Sequence, residues 1–396
     1  MERVAVTGMG CCTSLGWETE GIARAFAEGR TAFAADGGGP VCPVTDTGGD
    51  AASARLSAWR HRRYLNRGAL FAVLSGLRAA ASAGYDPEMT PETCLIGAAG
   101  PMLDFERERG LPPADPADLD ALWLLRWLPN TANTALARFL GIHGEGLVLC
   151  TACASALQAL GEGFRRVRAG LSSCVLVAAG DSRLSGGGLL GSGKAHALSR
   201  NPAPEAASRP FDAARDGFVP GEGGAAFVLE PLEAAQRRKA NILAEIVGFG
   251  ASLDGGALTA PDASARYAEQ AVRAALDDAG CPPAAVDWVS AHGTGTPLND
   301  RSEALLLERV FGASPVIAAL KSWIGHGSAA CGGLELALMI AAARGGLFPP
   351  VRNLREPCSD GLSFARTLRP FPGPLGLLEN FGFGGQNAAL AVRLWR

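Results

Sequence analysis

The segment between residues 147 and 182 constrains the fold most, because its elements alternate. An apolar run at 147–150 predicts a buried strand, an alanine-rich stretch at 154–168 predicts a helix, and residues 174–179 predict a second strand. A strand, a helix and a strand in this order form a βαβ unit, which requires a parallel sheet. The sequence therefore predicts an α/β protein.

A second set of elements follows the same order in the C-terminal part. It comprises a strand near 288–290, a helix over 300–311, a strand over 316–319, a helix over 328–344 and a final strand over 388–394. The N-terminus begins with a short strand at 4–6, a helix is predicted over 17–29, and the charged stretch 231–242 is the predicted join. We expect two pseudo-duplicated halves, residues 1–240 and 241–396.

Composition excludes several classes of protein. The 396 residues carry 36 Lys and Arg against 39 Asp and Glu, so nothing in the charge favours nucleic-acid binding. Ten scattered cysteines in a chain of this length do not resemble a disulfide framework, which favours the cytoplasm. We see no signal peptide and no apolar run long enough for a membrane span. The 52 glycines, beside strong apolar runs, indicate a folded enzyme rather than a linker.

Cys153 lies where the strand at 147–150 passes into the following helix. A thiol there faces the positive end of a helix dipole and unpaired backbone N–H groups, which lowers its pKa and supplies an oxyanion site. A small buried cysteine is the commoner structural role. Cys150 and Cys153 also match the spacing of a redox dithiol, whereas no second Cys/His pair stands at metal-ligand spacing. A nucleophile is thus one of several open interpretations.

Two of the five histidines follow strands in glycine-containing loops. His292 begins the stretch His-Gly-Thr-Gly-Thr, and His326 ends Lys-Ser-Trp-Ile-Gly-His, which starts at Lys321. Ligands bind at such strand ends in α/β proteins, so catalysis and a structural role are both open for each histidine.

Two further glycine loops complete the set. The loop 380–387, Asn-Phe-Gly-Phe-Gly-Gly-Gln-Asn, fits a tight loop near a substrate or an ordinary turn between strands. It lacks the helix and acidic residue of a dinucleotide fingerprint. The stretch 209–223, which starts Arg-Pro-Phe-Asp, is predicted from composition to be a surface turn system.

Together these segments resemble the β-ketoacyl-acyl carrier protein synthases, the thiolase-fold condensing enzymes of fatty acid and polyketide synthesis. The resemblance runs over essentially the whole chain. It rests on the order of T-A-C-x-S, R-P-F-D with D-G-F-V-x-G-E-G, H-G-T-G-T, K-S-x-x-G-H and F-G-F-G-G-x-N. It implies a layered αβαβα thiolase-like fold.

The resemblance implies a role for each matching residue. Cys153 would take the acyl chain as a thioester, His292 and His326 would drive decarboxylation of malonyl-carrier protein and hold the enolate, and Lys321 would pair with Glu335. The remaining implied positions are the oxyanion N–H groups of Cys153 and Phe383, the gates Phe383 and Phe218, and the substrate-binding residues Thr294, Thr296 and Gly384.

The implied reaction is the condensation of an acyl chain on Cys153 with malonyl-acyl carrier protein to give 3-oxoacyl-carrier protein. No metal or organic cofactor is expected, since the carrier protein brings its own phosphopantetheine arm. Partners would be an acyl carrier protein and a second subunit, in a homodimer or in a heterodimer with a chain-length-factor-like homologue. The product class, fatty acid, polyene or aromatic polyketide, is not specified by these motifs.

The chain departs from the family pattern at Cys150, Asn380 and Ala329, and the match is weakest over residues 100–133, where the acyl pocket and dimer contact would lie. Two rival functions remain. A chain-length-factor-like partner would lack the nucleophile, which is present here. A thiolase would carry a second cysteine in a C-x-G pattern, and Cys331 fits that pattern but falls inside the predicted helix.

Two expectations concern surface chemistry. A basic group at Arg60, Arg62, Arg63 and Arg67 is predicted to dock an acidic carrier protein, with a solvated helix end as the alternative. We also expect Cys153 alone to be alkylated, with Cys150 protected by burial.

Overall fold

The computed structural model describes residues 1–36, 39–85, 87–100 and 121–395, and within them a large mixed sheet and two small ones. The strands are β1 Val4–Cys12, β2 Ala34–Asp36, β3 Gly39–Val41, β4 Cys94–Ala98, β5 Gly146–Leu149, β6 Val175–Ser182, β7 Glu222–Pro231, β8 Ala244–Leu253, β9 Trp288–Ser290, β10 Val316–Ala318, β11 Leu347–Phe348, β12 Arg369–Pro370, β13 Leu375–Gly382 and β14 Gln386–Leu394.

The helices alternate with these strands along the chain. They are α1 Thr19–Glu28, α2 Ala51–Ala58, α3 Arg67–Ser82, α4 Thr131–Leu140, α5 Ser155–Arg168, α6 Gly186–Lys194, α7 Pro204–Ala207, α8 Leu232–Arg237, α9 Arg266–Asp278, α10 Pro297–Phe311, α11 Lys321–Ile324 and α12 Cys331–Arg344. Among the described helices, none combines the length and the hydropathy that a membrane crossing needs.

The large sheet shows the predicted duplication. Its strand order is β10-β9-β13-β14-β8-β1-β7-β6-β4-β5, so the order outward from β8 repeats the order outward from β1. The pairings repeat as well: β4 runs parallel to β5 and β6, as β9 does to β10 and β13, whereas β7 and β14 are antiparallel to both of their neighbours. A short antiparallel contact between β1 and β8 joins the two halves.

Three hydrophobic cores produce the predicted αβαβα layering. The central core contains α5 and α12, which contact strands of both halves, and it is flanked by a core under α3 and α4 and another under α9 and α10. The layered thiolase-like fold is therefore confirmed, while the domain limits 1–240 and 241–396 stay a prediction.

Glycines on the two central strands allow the outer helices to pack closely. A Cβ at Gly8 or Gly10 of β1 would collide with backbone carbonyls of α3, and a Cβ at Gly248 or Gly250 of β8 would collide with those of α9. Only glycine leaves room for a helix backbone to lie this close to a strand. The high glycine content is thus partly a requirement of helix-on-sheet packing.

One part of the sequence interpretation differs from the structure. The strands β7 and β8 were not predicted, yet both are buried along most of their length; in β8, glycines at 248 and 250 interrupt the apolar run. The segment predicted as the join, 231–242, lies between β7, which ends at Pro231, and β8, which begins at Ala244, and it contains α8. Residues 101–120, the centre of the predicted acyl-pocket insertion, lie outside the described residues.

Candidate active site

The nucleophile candidate Cys153 lies in a tight turn between β5 and α5. A short 3₁₀ turn, Ala152–Ala154, links Cys150 and Thr151 to the helix. Ala152 has φ +49°, a left-handed conformation that costs about 1 kcal/mol or more in a residue with a Cβ. This turn places the Cys153 sulfur at the N-terminal end of α5, as the sequence predicts.

The loop carrying His326 repeats this turn in the second half. It joins α11 to α12 through the 3₁₀ turn Ser328–Ala330, and Ser328 has φ +50°. The His326 backbone pairs with the segment 219–221: its N–H donates to the Val219 carbonyl at 2.7 Å and its carbonyl accepts from Gly221 at 3.0 Å. The Nε2 atom of His326 then lies 3.4 Å from the Cys153 sulfur.

His292 reaches the same point from β9. Its ring lies 5.7 Å from the His326 ring, nearly perpendicular to it. One sulfur or ring nitrogen from each of Cys153, His292 and His326 lies within 4.8 Å of the other two. The structure therefore brings together the three side chains that the sequence nominates from distant parts of the chain.

The hydrogen bonds of the two histidines define their tautomers. Nδ1 of His326 accepts from the Ser328 N–H at 3.0 Å and lies 3.2 Å from the Cys331 sulfur. Nδ1 of His292 lies 3.2 Å from both Lys321 Nζ and Asn380 Nδ2, and both of these groups are hydrogen-bond donors only. In each ring Nδ1 is thus the acceptor and Nε2 carries the proton, facing the cavity.

Burial keeps these groups uncharged. It lowers the pKa of both imidazoles well below the usual value, and the nearby Lys321 ammonium lowers it further. Burial raises the pKa of Cys153 to about 11, although Lys321 and Arg183 oppose that shift. At neutral pH the site therefore holds a thiol and two neutral N–H donors, which differs from the lowered thiol pKa predicted from the helix dipole.

Lys321 and Glu335 form a buried ion pair behind His292. Nζ of Lys321 lies 2.6 Å from Glu335 Oε1 and donates to the His292 carbonyl at 2.6 Å. Burial lowers the pKa of Lys321, but the Glu335 carboxylate more than offsets this and raises it above the usual value. The lysine is a permanent cation that fixes the position of His292.

A cavity of about 460 Å³ opens above the three reactive groups. Phe218, Phe383, Thr294 and Thr296 line it, as the resemblance implies. Phe218 stacks obliquely on His326 with ring centres 5.0 Å apart, and Phe383 is 53% exposed at the mouth. Gly384 does not line the cavity; its N–H donates to the Leu258 carbonyl at 2.7 Å, so its predicted contact with substrate finds no support in its position.

The phenylalanine-glycine loop lies directly against the Cys153 turn. A Cβ on Gly382 would stand 2.7 Å from the Thr151 carbonyl and 3.1 Å from the Cys153 backbone nitrogen. Residue 382 must therefore be glycine for the two loops to approach each other. This approach places Gly382, the residue before Phe383, next to the backbone nitrogen of Cys153.

Two expectations from the sequence are wrong. Cys150 is exposed rather than buried. Within the predicted docking group, Arg67 forms an ion pair with Glu222, with Nε 2.6 Å from Oε2, and the docking role of the group stays a prediction. The segment 209–223 is no surface turn: Phe211 and Val219 are buried, and it supports His326.

Several residues of the site were missed as functional. Glu303 accepts the backbone N–H groups of His292 at 2.6 Å and Gly293 at 2.9 Å. Asn380, noted only as a departure, donates to Glu335 at 2.9 Å. In the sequence, Glu303 could have been recognised as an acidic residue three positions after Asp300, in the first turns of the helix that follows the His292 loop.

The three reactive side chains are of types that also bind metals, but we assign no metal to them. A metal ion on the sulfur would occupy the electron pair that a nucleophile needs. The two Nε2 protons likewise face the cavity as donors, whereas a metal requires a free nitrogen lone pair.

Comparison with known sequences identifies the family. The sequence profile of the β-ketoacyl synthase N-terminal domain matches residues 1–235, and that of the C-terminal domain matches residues 243–355. The chain belongs to the β-ketoacyl synthase family. It is accordingly an acyltransferase of the β-ketoacyl-acyl carrier protein synthase type, as its motifs predict.

Individual β-ketoacyl synthases resemble it along their whole length. The 3-oxoacyl-[acyl-carrier-protein] synthase 2 of Synechocystis is 30% identical and covers 100% of this chain and 99% of its own. The crystal structure of a β-ketoacyl synthase from Burkholderia phymatum superposes with a TM-score of 0.90 at 32% identity, with 100% of both chains covered. The ishigamide ketosynthase/chain length factor gives a TM-score of 0.88 at 28% identity, again over 100% of both chains.

Proposed function

We propose that Cys153, His292 and His326 carry out a decarboxylative condensation of an acyl group with malonyl-acyl carrier protein. The observation that carries this assignment is the convergence of one sulfur and one ring nitrogen from each of two neutral histidines within 4.8 Å, beside a cavity of about 460 Å³. Such a cavity accepts an acyl thioester on its phosphopantetheine arm, and no other cofactor is needed.

In the first half-reaction the Cys153 sulfur attacks the acyl thioester of the carrier. The S–H proton ends on the carrier's departing thiolate, so charge and atoms balance. His326, with Nε2 3.4 Å from the sulfur, stabilises the thiolate as it forms. The backbone N–H groups of Cys153 and Phe383 stabilise the negative oxygen of the tetrahedral intermediate.

In the second half-reaction malonyl-carrier protein loses CO₂ and leaves an enolate. The two Nε2–H groups donate to the enolate oxygen, and their neutrality matters because a charged imidazole would transfer its proton and quench the carbanion. The enolate carbon attacks the acyl group on Cys153 and expels the thiolate. One proton is taken up per cycle, since the pKa of about 11 returns Cys153 to the thiol.

Lys321, Glu335 and Asn380 act through His292. Lys321 and Asn380 donate toward Nδ1 of His292, and Glu335 accepts a hydrogen bond from each of them. The proton of the His292 ring therefore stays on Nε2. Phe218 and Phe383 act as gates of the cavity, and Thr294 and Thr296 line the path of the phosphopantetheine arm.

The partners follow from the same reading. We infer an acyl carrier protein as substrate carrier, which the name of the Synechocystis relative supports. We also infer a second ketosynthase-type subunit, and the likeness to the ishigamide ketosynthase/chain length factor favours a heterodimer over a homodimer as the first to test. The cytoplasmic location stays a prediction from the sequence.

A reconstituted assay tests the proposal. Acyl- and malonyl-carrier protein are incubated with the chain and with its Cys153→Ala variant, and the carrier-bound product is weighed by mass spectrometry. We expect 3-oxoacyl-carrier protein from the wild type alone. Equal product from a heterodimer containing Cys153→Ala would instead assign this chain the role of a chain-length-factor-like subunit.

A further inference from the structure

The floor of the site contains more buried carboxyl groups than cations. Asp300, Glu303, Glu335 and Glu379 are all buried. Lys321 pairs with Glu335, and Arg215 approaches Asp300 with Nε 3.6 Å from Oδ2. Two of the four carboxyl groups thus have no cation beside them among the described residues.

Glu303 compensates for the lack of a cation with hydrogen bonds. Besides the N–H groups of His292 and Gly293, it accepts from Asn299 Nδ2 at 2.9 Å. Burial raises the pKa of Glu303, and hydrogen bonds from N–H donors oppose that shift, so Glu303 can carry a buried negative charge.

Glu379 has no such donors. It is 0% exposed, and among the described residues neither of its oxygens meets an N–H or O–H group. Burying a carboxylate without a donor costs several kcal/mol or more, whereas a carboxylic acid carries its own O–H. Leu378, the residue before it, pairs with Ser290 at the end of β9, so Glu379 lies beside the His292–Gly293 segment whose N–H groups donate to Glu303. Glu303 is the charged group with the largest effect on the Glu379 carboxyl, and its carboxylate is the acceptor on that side.

We propose that Glu379 is a positioning residue, which as a neutral carboxylic acid donates its proton to Glu303 and so fixes the carboxylate that holds the His292–Gly293 backbone. The inference rests on the proposed role of His292 in condensation. The Glu379 proton lies behind Glu303, away from the reacting groups, and through Glu303 it helps to orient the Nε2–H group of His292.

The same arrangement predicts how the site responds to pH. The titratable groups that face Glu379 are Glu303, Glu335 and Lys321. Burial, and then the charge of Glu303, raises the pKa of Glu379 well above its usual value, so the proton is kept at neutral pH and lost as pH rises. Its loss leaves adjacent negative charges on Glu379 and Glu303, which repel each other and displace the His292 backbone.

Infrared spectroscopy detects the proton directly. The difference spectrum between the wild type and Glu379→Gln at neutral pH should contain the C=O band of a carboxylic acid, which moves to lower frequency in D₂O. A difference spectrum with carboxylate bands instead would overturn the proposal. Because this measurement needs no turnover, an enzyme that fails to condense would refute the proposed function without affecting the result for Glu379.

Kinetics then test positioning against a merely structural role. Glu379→Gln still donates to Glu303, so kcat should remain within about 2-fold of wild type and the loss of kcat at alkaline pH should be smaller. Glu379→Leu cannot donate and should lower kcat by about 10- to 100-fold with little change in KM for malonyl-carrier protein. A wild-type activity that depends on added K⁺ or Mg²⁺, and loses that dependence in Glu379→Gln, would mean that a cation replaces the proton and would contradict the proposal.

Discussion

At the scale of single residues, the site depends on which atoms carry protons, namely Nε2 of each histidine and the Cys153 sulfur. Both histidines are neutral and accept hydrogen bonds at Nδ1, so both present an Nε2–H to the cavity. Cys153 is a thiol at rest, and its nucleophilic form arises only when the acyl thioester is in place. Of the residues that set these states, Lys321 and Asn380 do not line the cavity, whereas Ser328 does.

Removing His292 should therefore affect enolate formation more than acyl transfer. For His292→Ala we expect CO₂ release from malonyl-carrier protein to fall by about 10²- to 10³-fold, because one of two donors to the enolate oxygen is lost. Labelling of Cys153 by an acyl donor should remain within a few-fold of wild type. Release of CO₂ at the wild-type rate would contradict the role assigned to His292.

Alkylation should reach other cysteines besides Cys153. Cys150 and Cys358 are exposed, and Cys153 and Cys281 are partly exposed, so iodoacetamide should modify these four. Since the thiolate is the reacting form and the pKa of Cys153 is raised to about 11, its labelling should accelerate with each pH unit up to that value. Peptide mapping checks this, and prior acylation should protect Cys153 while leaving Cys150 reactive. Protection of Cys150 instead would reverse the assignment.

At the scale of elements, the loops that carry Cys153, His292 and His326 follow elements of both halves of the chain and meet at one site. Motif order alone predicts that these loops lie at strand ends, since a βαβ unit fixes where a strand end lies. Which side chains a neighbouring segment covers depends on contacts between distant parts of the chain. That is why the exposure of Cys150, the commitment of Arg67 to Glu222 and the buried support of His326 by residues 219–221 were not predictable locally.

A glycine substitution tests the contact between loops. Gly382→Ala places a Cβ 2.7 Å from the Thr151 carbonyl, so the loop must shift away from Cys153, and we expect kcat to fall about 100-fold. Gly256→Ala is the matched control, since a Cβ there meets nothing within 4 Å. Equal activity of the two variants in the condensation assay would show that this approach is not needed.

Charge reversal tests the basic turn that precedes α3. The variant Arg62→Glu/Arg63→Glu should raise KM for carrier-bound substrate with a steep dependence on salt, because both side chains are exposed and an acidic carrier would meet them. Arg237→Glu, at an exposed arginine of α8, serves as the control. An unchanged KM for the double variant would exclude this surface as the docking site.

At the scale of the whole molecule, duplication explains why the site forms. Two copies of one strand order bring the turn before α5 into contact with the turn before α12; Cys153 lies within the first turn, and His326 lies two residues before the second. The layering and the reactive side chains were predictable from sequence because motifs sit at strand ends. Glu303 and Glu379 were not, because an acid in a helix or strand reveals its burial only in the folded structure.

Trapping the acyl group on the chain tests the central claim most directly. The enzyme is incubated with acyl-carrier protein without malonyl-carrier protein, and its intact mass and peptides are measured. We predict one acyl group per chain on Cys153, released as 3-oxoacyl-carrier protein when malonyl-carrier protein is added, and no adduct on Cys153→Ala. An adduct elsewhere, or none with condensation still proceeding, would contradict the account.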